Sequence, residues 1–316
     1  MNENSDPDVI ISDCVLRDGL QSLRNVVTLE DKQKILALLV DSGIGNIEIT
    51  SMVPPDAIPQ FADAAAMIHF ARQCDVRLAT VLVPNLKGAQ RALEAGAKSL
   101  VLPLSVSQSH SMKNIRKSTE AQLDELKKIR ALISRQTRAE QPLLAAGIST
   151  AFGCSYEGKI QNKDVFALVE QCMAIGVDEI GLADTVGYAD PAQVKRIFTH
   201  CLQAFGSQLP LRAHFHDTFG LGLVNVYAAL EAGVRIFDAS LCGLGGCPFA
   251  INATGNITLE DLVYLMQKLG LKTGIDLDSL LGGQPLLRSI LPNETLYGAI
   301  NRAGKYPADF TPEKVA

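Results

Sequence analysis

The sequence has no tryptophan, and aromatic residues make up only 5% of its 316 positions. A core so poor in large rings must be filled by Leu, Ile, Val and Ala, which suits a buried parallel sheet sheathed in helices. It also lacks any C-x-x-C pair. The seven cysteines (Cys14, Cys74, Cys154, Cys172, Cys201, Cys242 and Cys247) are odd in number and scattered. That spacing speaks against a disulfide framework or a structural zinc site and for reduced thiols. No apolar run approaches the ~20 residues of a bilayer-spanning helix, so no membrane partner is expected. The first residues, Met1-Asn-Glu-Asn-Ser-Asp-Pro-Asp8, are polar and acidic, unlike a signal or transit peptide, and Glu313-Lys-Val-Ala316 carries no receptor-read address. The cytoplasm is the expected compartment. Excess positive charge is missing too. A net charge of −5 and a pI near 5.6 exclude a general nucleic-acid binder, although local basic residues can still receive a phosphorylated ligand.

What is present is a soluble composition, 47% apolar and 20% charged, with enough apolar residues for a substantial core. From residue 9, short β-type runs alternate with longer amphipathic ones. Strands are expected at 9–16, 46–50, 77–83, 99–104, 143–150, 179–184, 211–216 and 236–241. Thr28 and Asp31 make a box-like start for the first long helix. The stretch from 105 to 138 reads as a long polar loop and a helix whose Lys/Arg-rich face is solvated. Eight strand–helix units are the count for a (β/α)8 TIM barrel, whose usual size is ~250 residues. The barrel is expected over 1–285, with extra C-terminal helices and a tail over 286–316. A doubly wound open sheet is disfavoured, because no G-x-G-x-x-G follows the first strand.

His214-Phe215-His216-Asp217 closes the seventh strand. Alternation puts both imidazoles on one side, with Phe215 on the other, and such a pair can share a divalent metal if other ligands arrive. Taken alone, the pair is equally compatible with one packed and one solvated ring. The ends of other strands supply company, since all of them meet at one catalytic rim. Arg17 and Asp18 close the first strand and Asp184 the sixth, while Cys242–Cys247 leaves the eighth. Asp18, His214 and His216 can thus supply three metal ligands. Glu48 lies inside a strand and is expected to point into the barrel, where a carboxylate needs a partner; the simplest is Arg17. The glycine-rich segment 243–256 carries Cys247, which so flexible and polar a loop favours as a functional thiol over packing filler such as Cys172 or Cys201.

Six motifs together resemble one family. Arg17-Asp-Gly-Leu-Gln21, Pro84-Asn-Leu-Lys-Gly88, Gly153-Cys-Ser-Tyr-Glu-Gly158, Asp184-Thr-Val-Gly187, His214-Phe-His-Asp-Thr-Phe-Gly220 and Gly243-Leu-Gly-Gly-Cys-Pro248 look like 3-hydroxy-3-methylglutaryl-CoA lyase, of the metal-dependent TIM-barrel lyase superfamily. The likeness runs in order from about residue 10 to 280. It implies Mg²⁺ or Mn²⁺ held by Asp18, His214, His216 and Asn256. It implies a retro-Claisen cleavage of an acyl-CoA thioester to acetyl-CoA and acetoacetate. Arg17 would stabilise the enolate, and Cys247 would protonate its carbon. Glu48, Asp184 and Glu260 join the catalytic set, the last two supporting proton movement and the metal site. Gln21 and Asn85 are placed with the substrate. A homodimer or higher homo-oligomer is also implied.

Two departures mark this chain. Val15-Leu16 stands where the family has Gly-Pro. Ser107-Gln108-Ser109-His110 stands where it has Ser-Glu followed by an aromatic. Gln108 and His110 are therefore expected at the substrate mouth, leaving open a close 3-hydroxyacyl-CoA analogue as substrate. The alternative is a condensing synthase or an aldolase of the same superfamily, acting on a ketoacid. The Cys247 loop and the short remainder after 280 argue against it.

Overall fold

Eight parallel strands close into a barrel: β1 (Ile10–Asp13), β2 (Asn46–Ser51), β3 (Leu78–Leu82), β4 (Ser99–Ser105), β5 (Leu143–Ser149), β6 (Glu179–Asp184), β7 (Leu211–Phe215) and β8 (Ile236–Ala239). The computed structural model describes residues 6–137, 140–206, 208–246 and 255–304. Closure comes from β1 lying beside β8, from Ile10 opposite Ile236 to Asp13 opposite Ala239. Around the strands run α1 (Leu29–Asp41), α2 (Ala64–Ala71), α3 (Leu86–Glu94), α4 (Gln108–Asn114), α5 (Thr119–Ile133), α6 (Asn162–Ile175), α7 (Pro191–Phe205), α8 (Gly222–Ala232) and α9 (Leu259–Lys268). Then come α10 (Leu277–Leu280), α11 (Gly283–Ile290) and α12 (Ala299–Ala303). The expected TIM barrel with extra C-terminal helices is what forms. Among the described residues, no helix is long and apolar enough to cross a membrane.

Strand alternation builds two environments. On β7, Leu211, Ala213 and Phe215 are buried against the helical layer, where the Phe215 ring lies 5.8 Å from Phe152 and 6.5 Å from Phe198 of α7. Burying such a ring contributes about 2–3 kcal/mol. Arg212 and His214, one residue out of phase, turn to the barrel interior. This side of the interior is polar, holding Ser12, Glu48, Glu179, Arg212 and Asp238 in place of the usual branched apolar layers.

The structure corrects three sequence expectations. The first strand, expected over 9–16, ends at Asp13. The Asp13 carboxylate accepts the Val15 N–H at 2.8 Å and so draws the backbone out of the ladder. The chain enters a π-helical turn, Val15–Gly19, in which the amides of Arg17, Asp18 and Gly19 all converge on the Cys14 carbonyl. Such turns recur at functional sites, and this one carries Arg17 and Asp18. Between 105 and 138 there are two helices rather than one. Ser107 Oγ accepts from the His110 amide at 3.1 Å and caps α4, while Ser118 Oγ accepts from the Ala121 amide at 3.2 Å and caps α5. His216 lies one residue beyond β7. The expected division at 285 falls within α11, which packs with α10 against α1, as α12 packs against α9.

Candidate active site at the carboxyl rim

Asp18, His214 and His216 come together at the C-terminal ends of the strands, their ligand atoms all within 4.8 Å of one another. The two imidazole rings have centroids 5.2 Å apart, and His216 Nε2 is 3.6 Å from Asp18 Oδ2. Asn256 arrives from a separate stretch of chain. The Asp217 amide donates to Gly255 O and the Ile257 amide to Phe215 O, so residues 255–257 zip onto the end of β7. That pairing sets Asn256 beside His216. Its Nδ2 donates to Asp18 Oδ2 at 2.7 Å and to Leu244 O at 3.2 Å. Two glycines make the approach possible. A Cβ on Gly245, at φ +113°, would lie 2.7 Å from Asn256 Nδ2 and 3.0 Å from Asp18 O, and one on Gly255 would lie 2.0 Å from Gly243 O.

Arg17 bridges two carboxylates, with Nη1 at 2.5 Å from Asp18 Oδ1 and Nη2 at 2.8 Å from Glu48 Oε2. The pairing expected from the sequence is present. Burial by itself would raise the Asp18 carboxyl. The Arg17 guanidinium, then His216 and His214, outweigh it and hold Asp18 well below the usual carboxylate range. Burial works against the charge of Arg17 as well, and Glu48 and Asp18 more than restore it.

The residues present fit a divalent cation. Among the described residues, Asn256 Oδ1 and His216 Nδ1 are buried polar atoms without a hydrogen-bond partner. An ionised carboxylate, two imidazoles and an amide oxygen are a donor set for a hard to borderline cation such as Mg²⁺ or Mn²⁺.

The other expected site residues are placed as follows. Asp184 is fully buried, and its two oxygens accept the Tyr188 and Ala189 amides at 2.9 and 3.0 Å, holding the β6–α7 loop. Burial raises its carboxyl. Glu260, on the first turn of α9, is also fully buried and raised by burial; it accepts from Cys242 and Asn301. Asn85 caps α3 through the Gly88 amide, and the half-buried Gln21 follows the π-helical turn. Gln108 is exposed, and its amide is spent on Glu120 and the Thr119 N–H, tying α4 to α5. His110 is buried, not open at a mouth. Its Nδ1 is 3.0 Å from Ser105 Oγ, its Nε2 has no partner among the described residues, and burial lowers its pKa. Cys247 lies outside the described residues.

Four further charged residues, to which the sequence assigns no role, complete the surroundings of the site. Asp238 Oδ2 lies 3.3 Å from His214 Nδ1, and its Oδ1 accepts from Arg212 Nη1 at 2.9 Å. Arg212 Nη2 reaches Glu179 Oε1 at 2.6 Å. Asp13 accepts the Val15 and Leu241 amides, both at 2.8 Å. The signal that exposed Glu48, a charge at interior phase within an apolar strand, was also available for Arg212 and Asp238.

A closed parallel barrel whose rim joins a carboxylate, two imidazoles and a clamped arginine defines the class, a TIM-barrel enzyme able to hold a divalent cation beside a fixed positive charge. A family model described as HMGL-like matches residues 8–284, and the chain belongs to that family; it is a carbon–carbon lyase. It is 38% identical over 275 residues to the hydroxymethylglutaryl-CoA lyase of Bacillus subtilis, covering 86% of this chain and 90% of that protein. It is 34% identical over 278 residues to the 3-hydroxy-3-isohexenylglutaryl-CoA/hydroxymethylglutaryl-CoA lyase of Pseudomonas aeruginosa, covering 87% and 90%. An HMG-CoA lyase from Acinetobacter baumannii, solved with coenzyme A and 3-methylmalate, superposes with a TM-score of 0.89 at 39% identity over 99% of both chains.

Proposed function

We propose that the protein cleaves 3-hydroxy-3-methylglutaryl-CoA, or a close 3-hydroxyacyl-CoA analogue, by a retro-Claisen reaction to acetyl-CoA and acetoacetate or its counterpart. The observation that carries this reading is Arg17, clamped between Asp18 and Glu48 beside the Asp18–His214–His216 cluster. Asp18, His214, His216 and Asn256 would hold Mg²⁺ or Mn²⁺. When bound, such a cation lowers the cost of ionising the substrate's C3 hydroxyl.

The hydroxyl proton passes to solvent at the rim, balanced by the proton that the enolate carbon later takes up; breaking the C2–C3 bond turns C3 into a ketone and leaves the electron pair on the thioester enolate of acetyl-CoA. The guanidinium of Arg17 meets that developing charge at the enolate oxygen. Glu48 keeps it oriented, so little reorganisation is needed as the charge forms. Cys247 then delivers a proton to the enolate carbon as general acid. Glu260 supports the start of the segment that carries Cys247 through its bonds to Cys242. Asp184 shapes the rim through its loop.

The test is an assay of purified protein with Mg²⁺ against a panel of 3-hydroxyacyl-CoA thioesters, with products identified by mass. Release of acetyl-CoA with a ketoacid is the expected result. No cleavage of any thioester, or cleavage of the methylglutaryl substrate at full rate by Cys247→Ala, would count against it.

A further inference from the structure

A chain of side chains runs through the barrel interior to one side of the metal cluster. It starts at Glu179, the first residue of β6, passes through Arg212 of β7 and Asp238 of β8, and ends on His214. Every link is shielded: the side chains of Glu179, Arg212, Asp238 and His214 are each no more than 18% exposed. Arg212 Nη1 also donates to Ser12 Oγ of β1 at 3.1 Å, so side chains from three other strands, β1, β6 and β8, fix the guanidinium. Nothing in the retro-Claisen chemistry uses Arg212, Glu179 or Asp238 directly.

We infer that Arg212 and Asp238 act as a positioning pair that selects the tautomer of His214 and aims its Nε2 at the cation. The inference rests on the metal reading above. A neutral imidazole carries one N–H and one lone pair, and the hydrogen bond of one nitrogen decides the role of the other. Asp238 Oδ2 can only accept, so Nδ1 of His214 carries the proton and Nε2 keeps the lone pair. Arg212 decides which face of the carboxylate does this. Its guanidinium is a donor only and claims Oδ1, leaving Oδ2 for the imidazole. Glu179 balances the arginine's charge from the other side. Carboxylate–histidine–metal arrangements of this kind govern ligand orientation and basicity in metalloenzymes generally. Here an arginine stands behind the carboxylate.

The arrangement gives Asp238→Asn an unusual consequence. Arg212 still claims the oxygen, now the amide carbonyl, and the NH₂ group is left facing His214 Nδ1. Two donors cannot share that contact. The imidazole proton moves to Nε2, the nitrogen that should ligate. Substituting Arg212→Met in the same background frees the amide to turn its oxygen back toward Nδ1.

The experiment measures Mn²⁺ dissociation constants by calorimetry for the wild type, Asp238→Asn and the double variant Arg212→Met/Asp238→Asn. It also records the His214 tautomer from ¹⁵N-histidine spectra of metal-free protein at a pH where the imidazole is neutral. Asp238→Asn is expected to weaken Mn²⁺ about 10–100-fold and to move the His214 proton from Nδ1 to Nε2. The double variant is expected to regain affinity over Asp238→Asn. Unchanged affinity and tautomer in Asp238→Asn, or a double variant weaker still, overturns the positioning role. Should the double variant not fold, the tautomer in Asp238→Asn decides alone. A wild type that binds no Mn²⁺ overturns the metal reading instead, and the tautomer measurement still tests the pair.

Discussion

Cys242 gives both its N–H and its S–H to the Glu260 carboxylate, at 3.0 and 3.2 Å. Cys242 holds φ at +54°, in the left-handed region that non-glycine side chains seldom occupy, and it opens the segment leading to Cys247. The C-terminal extension grips the same point. The Tyr297 amide donates to Cys242 O at 2.9 Å, Asn301 Nδ2 donates to Glu260 Oε1 at 2.9 Å, and Asp261 accepts the Ala299 and Ile300 amides. Glu260→Ala removes the acceptor from a buried amide, a thiol and an asparagine. It should cost about 1–3 kcal/mol of stability, measured by urea unfolding, and lower kcat more than it raises KM. Glu260→Gln, which keeps one acceptor oxygen, should recover part of the stability. Equal unfolding curves for wild type and Glu260→Ala would show that the bonds carry no weight.

Arg17 and Glu48 should separate in kinetic assays. Arg17→Met removes the charge proposed to meet the enolate and is expected to lower kcat about 10²–10³-fold, the range found for the loss of one preorganised donor. Glu48→Gln leaves the guanidinium present but less firmly oriented, so its loss should be smaller. If the two variants are equally impaired, Glu48 has a role of its own in the chemistry.

Metal removal should be visible in stability as well as in rate. A chelator is expected to abolish cleavage, and Mn²⁺ or Mg²⁺ to restore it. At 100 times its dissociation constant, a cation bound only by the folded protein stabilises it by about 2.7 kcal/mol. A thermal melt should therefore rise with added Mn²⁺ in the wild type and not in His216→Ala. An identical rise in both would mean that the ion binds elsewhere.

Asp13 supplies a pH dependence with a definite sign. Burial pushes its carboxyl up to about 8 from an ordinary value of 3.8, although the Val15 and Leu241 amides oppose the rise. Across that window the folded protein holds a proton that the unfolded chain has released. Its stabilising contribution is therefore complete below about pH 4 and lost as pH climbs through 8. The stability of the wild type relative to Asp13→Asn should fall by about 1.4 kcal/mol per pH unit between pH 5 and 7. Unfolding at a series of pH values checks this, and a constant difference would contradict it.

Much of the fold was legible because strand and helix periods are local. The apolar phase of Leu211, Ala213 and Phe215 marks a strand with one face in the helical layer, and it equally marks Arg212 and His214 as facing inward. Thr28 caps α1 as its sequence position suggests, accepting the Asp31 amide at 3.2 Å, while the Asp31 carboxylate takes the Thr28 hydroxyl and not its backbone N–H. The end of β1 at Asp13 differs from the sequence expectation for an equally specific reason. Nothing in the run from 9 to 16 announces that the Asp13 carboxylate will bind the Val15 amide and bend the chain into a π-helical turn. Gln108 and His110 were expected at a substrate mouth from their place in the order of motifs. The position of a residue in a motif does not say whether its side chain will be claimed first by Glu120 or by Ser105.

By itself the sequence determined the barrel and the meeting of Asp18, His214 and His216 at one rim, because eight repeats of one pattern allow few topologies and carry all their strand ends to one side. Only the tertiary structure decided what stands behind those side chains. Asp238 meets His214 across two strands, Glu179 reaches Arg212 from a third, and Asn256 is delivered by pairing with the end of β7. Such contacts join residues distant in the chain. They depend on strand register and side-chain reach, which a reading of local periodicity does not contain.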